Sequence, residues 1–222
     1  NEISQKYFER SLADRYRTDC TPVPSFHLAG ESRKKRAGGK KKRSERVVFV
    51  EKKFSDRVRC FNNMIFPLTW YFEFQKMVVD LFAEKKDFEF IYKHARGQIW
   101  AERSILKYIR SGGCAHIHVF DGHFTETLKF ADRVIMDHPS TALFETAAAG
   151  IPVLSLYADY YNVLGPAKKV FGRSLREFSS EEEALSIIEE FLGSDPGEYT
   201  VDLPLTGGNF ADSFSGIMAQ KV

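Results

Sequence analysis

Several familiar signatures are missing from this chain of 222 residues. It has no G-x-G-x-x-G fingerprint and no G-x-x-x-x-G-K-[ST] loop, which weighs against a dinucleotide oxidoreductase and a P-loop NTPase. The G-x-S-x-G elbow of serine hydrolases is absent too. No apolar run reaches the roughly 18 residues that a bilayer-spanning helix needs, and nothing near the N-terminus has the form of a signal peptide. The expectation is a soluble, cytoplasmic protein. Cysteine is scarce: Cys20, Cys60 and Cys114 are odd in number and unclustered, so free thiols in a reducing compartment fit better than a disulfide framework or a zinc site. No internal repeat is visible. The first residue is Asn1 rather than Met, which leads us to expect a piece of a longer protein.

The charge balance is close to neutral but uneven. Eight basic residues, Arg33 to Arg36 and Lys40 to Arg43, stand against a formal charge of +2 for the whole chain, which leaves −6 on the remainder. The basic character is therefore local, and nucleic acid is not an expected partner of the folded body. The run E-S-R-K-K-R-A-G-G-K-K-K-R-S-E-R has two adjacent glycines and no apolar side chain larger than alanine, so residues 32–46 read as a flexible linker. The same run suits a peripheral contact with anionic lipid at the inner face of a membrane. Residues 1–31 read as an N-terminal extension or the end of a preceding domain, and 47–222 as the folded body.

From Arg46 onward strand and helix patterns alternate. Strands are predicted over Val47–Val50, Phe88–Tyr92, His116–Phe120, Val134–Asp137 and Val153–Leu156, and helices over Pro67–Ala83, Gln98–Ile109, Phe124–Phe130, Ser140–Ala149 and Ser180–Leu192. Ser179 or Ser180 with Glu182 or Glu183 makes a capping box. Alternation of this kind argues for an α/β fold, a Rossmann-like parallel sheet with helices on both faces. The aromatic segment Phe66 to Phe74 should supply core through Phe74, Met77, Val78 and Leu81, with the excess at Trp70 to Phe72 placed against an absent partner domain.

The most informative stretch is F-A-D-R-V-I-M-D-H-P-S-T-A-L-F-E-T-A-A-A-G-I-P-V-L-S-L-Y, Phe130 to Tyr157. It reads as a strand, a turn at His138 and Pro139, a helix capped by Ser140 or Thr141, a stop at Gly150 and a second buried strand. Such a unit sets a helix N-terminus at the carboxyl edge of the sheet, where backbone N–H groups and the positive end of the helix dipole can hold an anion. Glu145 follows within the next turn. A phosphate at Ser140 and Thr141 and a sugar hydroxyl at Glu145 suit a nucleotide ligand.

The segment E-T-A-A-A-G-I-P-V, Glu145 to Val153, resembles the E-A-x-A-x-G-x-P-V signature in the C-terminal nucleotide-binding domain of GT-B glycosyltransferases, and the approach H-V-F-D-G-H…A-D-R-V-I-M-D-H-P-S-T is similar to the same family over residues 116–157. The resemblance implies a single GT-B-type C-terminal domain that binds a nucleotide-sugar as donor substrate, with no other cofactor. It implies Glu145 on the donor ribose, a second acidic position at Asp137 that is catalytic in retaining members, and a backbone cradle for the base at Gly122. Y-K-H-A-R-G is similar to the K-x-H-P segment of CDP-glycerol-type polyol-phosphate transferases, without its proline. That likeness implies Lys93 and His94 as catalytic groups meeting the diphosphate, and Lys53, with Lys52 and Arg57 nearby, as a further phosphate contact.

His138 precedes the phosphate turn and is expected to touch the ligand. Asp159, with Tyr160, Tyr161 and Asn162, is placed to hold donor-sugar hydroxyls. His116 and His118, two apart on a strand, could form a metal site with His123, but the third ligand sits on a loop and no metal is expected. The family likeness further implies an N-terminal acceptor domain missing here and a polysaccharide or lipid-linked acceptor. Other readings are a polyol-phosphate transferase, a UDP-sugar 2-epimerase on the same scaffold, or a non-catalytic Rossmann-like binding domain.

Overall fold

The computed structural model describes residues 44–52, 68–94, 101–159, 163 and 165–203. The elements are β1 (Glu45–Val50), α1 (Leu68–Glu84), β2 (Phe88–Lys93), α2 (Ala101–Gly112), β3 (Ile117–Phe120), α3 (Phe124–Thr127), β4 (Arg133–Met136), α4 (Thr141–Ala148), β5 (Val153–Ala158), α5 (Gly165–Phe171), β6 (Leu175–Phe178) and α6 (Glu181–Gly193), with short 3-10 turns at Gly172–Ser174 and Pro196–Tyr199. The strands form one sheet in the order β3-β2-β1-β4-β5-β6. Every pairing is parallel, as the strand-helix alternation requires.

Alternation along the strands divides the core in two. Val47, Phe49, Phe90, Tyr92, Ile135, Leu154 and Leu156 face one layer with Phe74, Val78, Phe82, Ile105, Ile188 and Phe191 of α1, α2 and α6. Val48, Ile91, Val134, Met136, Val153 and Tyr157 face the other with Leu143 and Ala147 of α4 and Phe171 of α5. Most of these side chains are fully buried, each contributing about 2 kcal/mol of apolar transfer.

Caps follow the sequence signals. Ser180 accepts from Glu183 N at 3.2 Å while the Glu183 carboxylate takes the Ser179 N–H at 2.8 Å, so the expected box uses both serines. Gly150 ends α4 at φ +64, a left-handed position that favours glycine.

Four expectations change. β6 and α5 follow β5, which the sequence reading took as the last strand. β1 begins at Glu45, whose partner is Phe88, rather than at Val47. Trp70 stacks on Phe74 and Phe178 at 5.6 and 6.1 Å, so this ring packs within the domain instead of waiting for a partner. Met77 and Leu81 are only half-buried, and Tyr71, Gln75 and Phe82 take the inner face of α1 with Phe74 and Val78.

The strand order carries a functional consequence. From β1 the chain runs outward through β2 and β3, then returns to β4 beside β1 and continues the other way. The reversal lies between β1 and β4, and in an open parallel sheet the crevice at the carboxyl ends of those strands is where ligands bind.

Candidate functional site

At that reversal the chain buries polar groups. β1 is followed by Glu51 and Lys52, β2 ends in Lys93 and leads to His94, and β4 is followed by Asp137 and His138. Glu51, Lys52, Lys93, His94 and Asp137 are all buried, none above 7% exposed. Buried polar groups persist only where they are satisfied. Here the satisfaction is organised around two carboxylates.

Asp137 is the first. Its Oδ2 accepts the Lys52 N–H at 2.8 Å and the Tyr71 hydroxyl, and its Oδ1 lies 2.8 Å from His138 Nδ1. Tyr71 in turn accepts from Lys52 N at 3.1 Å. Glu51 is the second. Its Oε2 accepts from Tyr92 OH at 2.6 Å and Gln75 Nε2 at 3.2 Å, and its Oε1 lies 2.6 Å from His94 Nδ1. The last is a close contact rather than an aligned hydrogen bond. Gln75 also donates to Tyr92 OH. Each carboxylate therefore has one buried tyrosine and one histidine beside it.

Electrostatics match this wiring. Burial, and then Asp137, pushes the Tyr71 hydroxyl well above its ordinary range, and burial, and then Glu51, does the same to Tyr92, so both stay protonated and donate. Burial lowers Lys52 to about 8, against the pull of Asp137. Lys93 Nζ donates to the His94 carbonyl, and the His94 N–H goes to Phe120 O at 2.9 Å, which ties the end of β2 to β3. A carboxylate beside one imidazole nitrogen fixes ring orientation and leaves the other nitrogen for chemistry.

The structure thus brings Lys93, His94, Asp137 and His138 to one edge, with Asp137 fully buried. Ser140 is the N-cap of α4, in extended geometry at φ −141 and ψ 179, and its hydroxyl does not bond the helix amides. Thr141 is exposed, and Glu145 is half-buried, next in the helix to the buried Thr146 and Ala147.

Gly122 stands where a side chain would not fit. A Cβ there would lie 2.3 Å from Phe120 Cζ and 2.5 Å from Glu126 Oε2, so the chain's own groups fill the close approach that this glycine permits. Asp159 is exposed just past β5, its N–H on Phe178 O at 2.9 Å. Lys53, Arg57, Tyr160, Tyr161 and Asn162 lie outside the described residues.

The three histidines weighed as a metal site are not brought together. His116 precedes β3 and its Nε2 meets Phe82 O at 2.8 Å, whereas His118 is half exposed near Glu89. Among the described residues no group of three or more His, Cys, Asp or Glu is placed to hold a metal ion. No described helix is long and apolar enough to cross a membrane.

Glu51, Tyr71, Gln75 and Tyr92 were not singled out from sequence. A signal for two of them exists: Tyr71 and Gln75 fall on the stripe 71, 75, 78, 82 of α1, where a glutamine interrupts apolar residues at helical spacing.

No protein-family model and no curated protein matches the sequence. Solved structures do match. A putative UDP-N-acetylglucosamine 2-epimerase from Listeria monocytogenes aligns with 92% of this chain and 50% of its own, at 13% identity and a TM-score of 0.51. The UDP-GlcNAc 2-epimerase from Methanocaldococcus jannaschii aligns with 81% of this chain and 46% of its own, at 12% identity and a TM-score of 0.46. The glycotransferase of kitacinnamycin aligns with 84% and 42%, at 14% identity and a TM-score of 0.41. The fold is the Rossmann-like α/β fold of GT-B-type proteins. The chain spans about half the length of these matched structures, 50% of the Listeria protein.

Proposed function

We propose that this chain is the nucleotide-sugar-binding half of a GT-B-type transferase. It takes a nucleotide-activated sugar at the carboxyl edge between β1 and β4 and, with an N-terminal acceptor domain, passes the glycosyl group to a polysaccharide or lipid-linked acceptor. The observation that carries this reading is the coincidence at one place of the strand-order reversal, the α4 N-terminus after His138 and Pro139, and the half-buried Glu145 beyond it.

In this reading the first amides of α4 and Ser140 and Thr141 hold phosphate, Glu145 holds the ribose, and Lys93, His94 and Lys53 offset charge on the departing diphosphate. Asp159 meets the sugar, and the basic run holds the enzyme near a membrane-bound acceptor. Calorimetric titration with UDP, CDP and GDP tests it. One of the three should bind, weakly for half an enzyme, and Glu145→Ala should abolish the heat while leaving the fold intact. Binding to none of them, or binding indifferent to Glu145, refutes the proposal.

One observation favours a second reading, a UDP-sugar 2-epimerase. Two carboxylate–histidine contacts flank the strand reversal, and inversion at a ring carbon needs groups that remove and return a proton. Incorporation of solvent deuterium into a UDP-sugar on incubation with the full-length protein would select it over transfer.

A further inference from the structure

We infer that Asp137 is a positioning residue, and that His138 is the group this pair presents to a diphosphate-bearing ligand. The identity of the ligand rests on the nucleotide-binding reading; the role of Asp137 does not.

Asp137 is 0% exposed and both its oxygens are engaged inside the fold, Oδ2 by Lys52 N–H and the Tyr71 hydroxyl and Oδ1 by His138 Nδ1. No ligand atom can take those places without dismantling the end of β1. His138 is different. It is the next residue in the chain, its side chain is 19% exposed, and it stands at the turn that leads into α4.

As a carboxylate, Asp137 can only accept through Oδ1, so the 2.8 Å contact places a proton on His138 Nδ1. The neutral ring then has its lone pair at Nε2. With Nδ1–H held on Asp137, Nε2 is the ring nitrogen left to meet a phosphate oxygen, as a donor when it carries a proton. Tyr71 and the Lys52 amide hold the aspartate, and the aspartate holds the ring at the turn that leads into α4. The acidic position eight residues before Glu145 is thus spent on orientation rather than on attacking or stabilising the sugar.

Ring ¹⁵N resonances of His138, assigned by their loss in His138→Gln, test this directly. In the ligand-free chain Nδ1 should carry a proton, and in the neutral ring that proton should sit on Nδ1 rather than Nε2. Asp137→Asn should move the ring proton toward Nε2, and Tyr71→Phe, the milder variant, should leave it on Nδ1. Saturating UDP, or whichever of UDP, CDP and GDP binds, should move the Nε2 resonance without disturbing Nδ1. A ring protonated at Nε2 and bare at Nδ1 in the unaltered free chain overturns the role of Asp137 whatever the variants do. A ring unmoved by UDP, while the α4 amides shift, overturns the role of His138 and leaves the nucleotide reading intact. No shift anywhere in the chain with UDP, CDP or GDP overturns both the nucleotide reading and the ligand assigned to His138, and the free-state tautomer still decides Asp137.

Discussion

Glu51 Oε1 lies 2.6 Å from His94 Nδ1, joining the residue that follows β1 to the residue that follows β2 across the carboxyl edge of the sheet. The same carboxylate collects Tyr92 and Gln75, so one side chain at the end of β1 satisfies groups from β2 and α1. Glu51→Ala should leave the Tyr92 hydroxyl proton and one Gln75 N–H without an acceptor in the interior, though Gln75 still donates to Tyr92 OH, and cost about 3 kcal/mol, since each buried donor left unpaired costs about 1–3 kcal/mol. Glu51→Gln, which keeps an acceptor, should cost less. Urea unfolding followed by tryptophan fluorescence reads both values, and equal stability of Glu51→Ala and the unaltered chain would contradict the hub.

Tyr71→Phe removes the hydroxyl that donates to Asp137 and accepts from Lys52 N. The aspartate keeps its Lys52 amide and His138, so the loss should be near that of one buried hydrogen bond to a charged group, about 1.5–3 kcal/mol. The m-value should not change, because the exposed area on unfolding stays the same.

The pH dependence has a defined sign. Lys52 falls to about 8 in the fold from 10.5, so between those values the unfolded chain binds more protons and stability rises with pH. Tyr71 and Tyr92 are raised above 10.0, so beyond that value the folded chain holds protons that the unfolded chain releases, and stability falls. Denaturation midpoints should climb from pH 8 toward 10 and then drop. Lys52→Met should flatten the climb and leave the drop.

Gly150 stands at φ +64 with nothing within 4 Å of where a Cβ would be. Gly150→Ala therefore meets strain and no clash, and should cost about 1 kcal/mol without altering ligand binding.

Much of the scaffold was legible because buried parallel strands are apolar runs: V-V-F-V, V-I-M and V-L-S-L could hardly be anything else beside helical patterns with Ser caps and a Gly stop. β6 was not, because L-R-E-F at the sheet edge buries only its first and last residues and carries two charges between them. The strand order was also hidden; alternation implies a parallel sheet but not where it reverses. Asp137 and His138 stood out by their place before the turn, whereas Glu51 and Gln75 look like surface residues until α1 is laid across the strand ends. Burial of a charge is a tertiary event, and a single sequence shows it only as an oddity in a periodic stripe.

The most direct measurement is an amide ¹H–¹⁵N shift map of the chain titrated with UDP to millimolar concentration. The account predicts that the largest shifts cluster at His138, Ser140, Thr141, Ala142 and Glu145, and that Glu145→Ala removes them. Shifts confined to another face of the sheet, or none at that concentration with UDP, CDP or GDP, would contradict it.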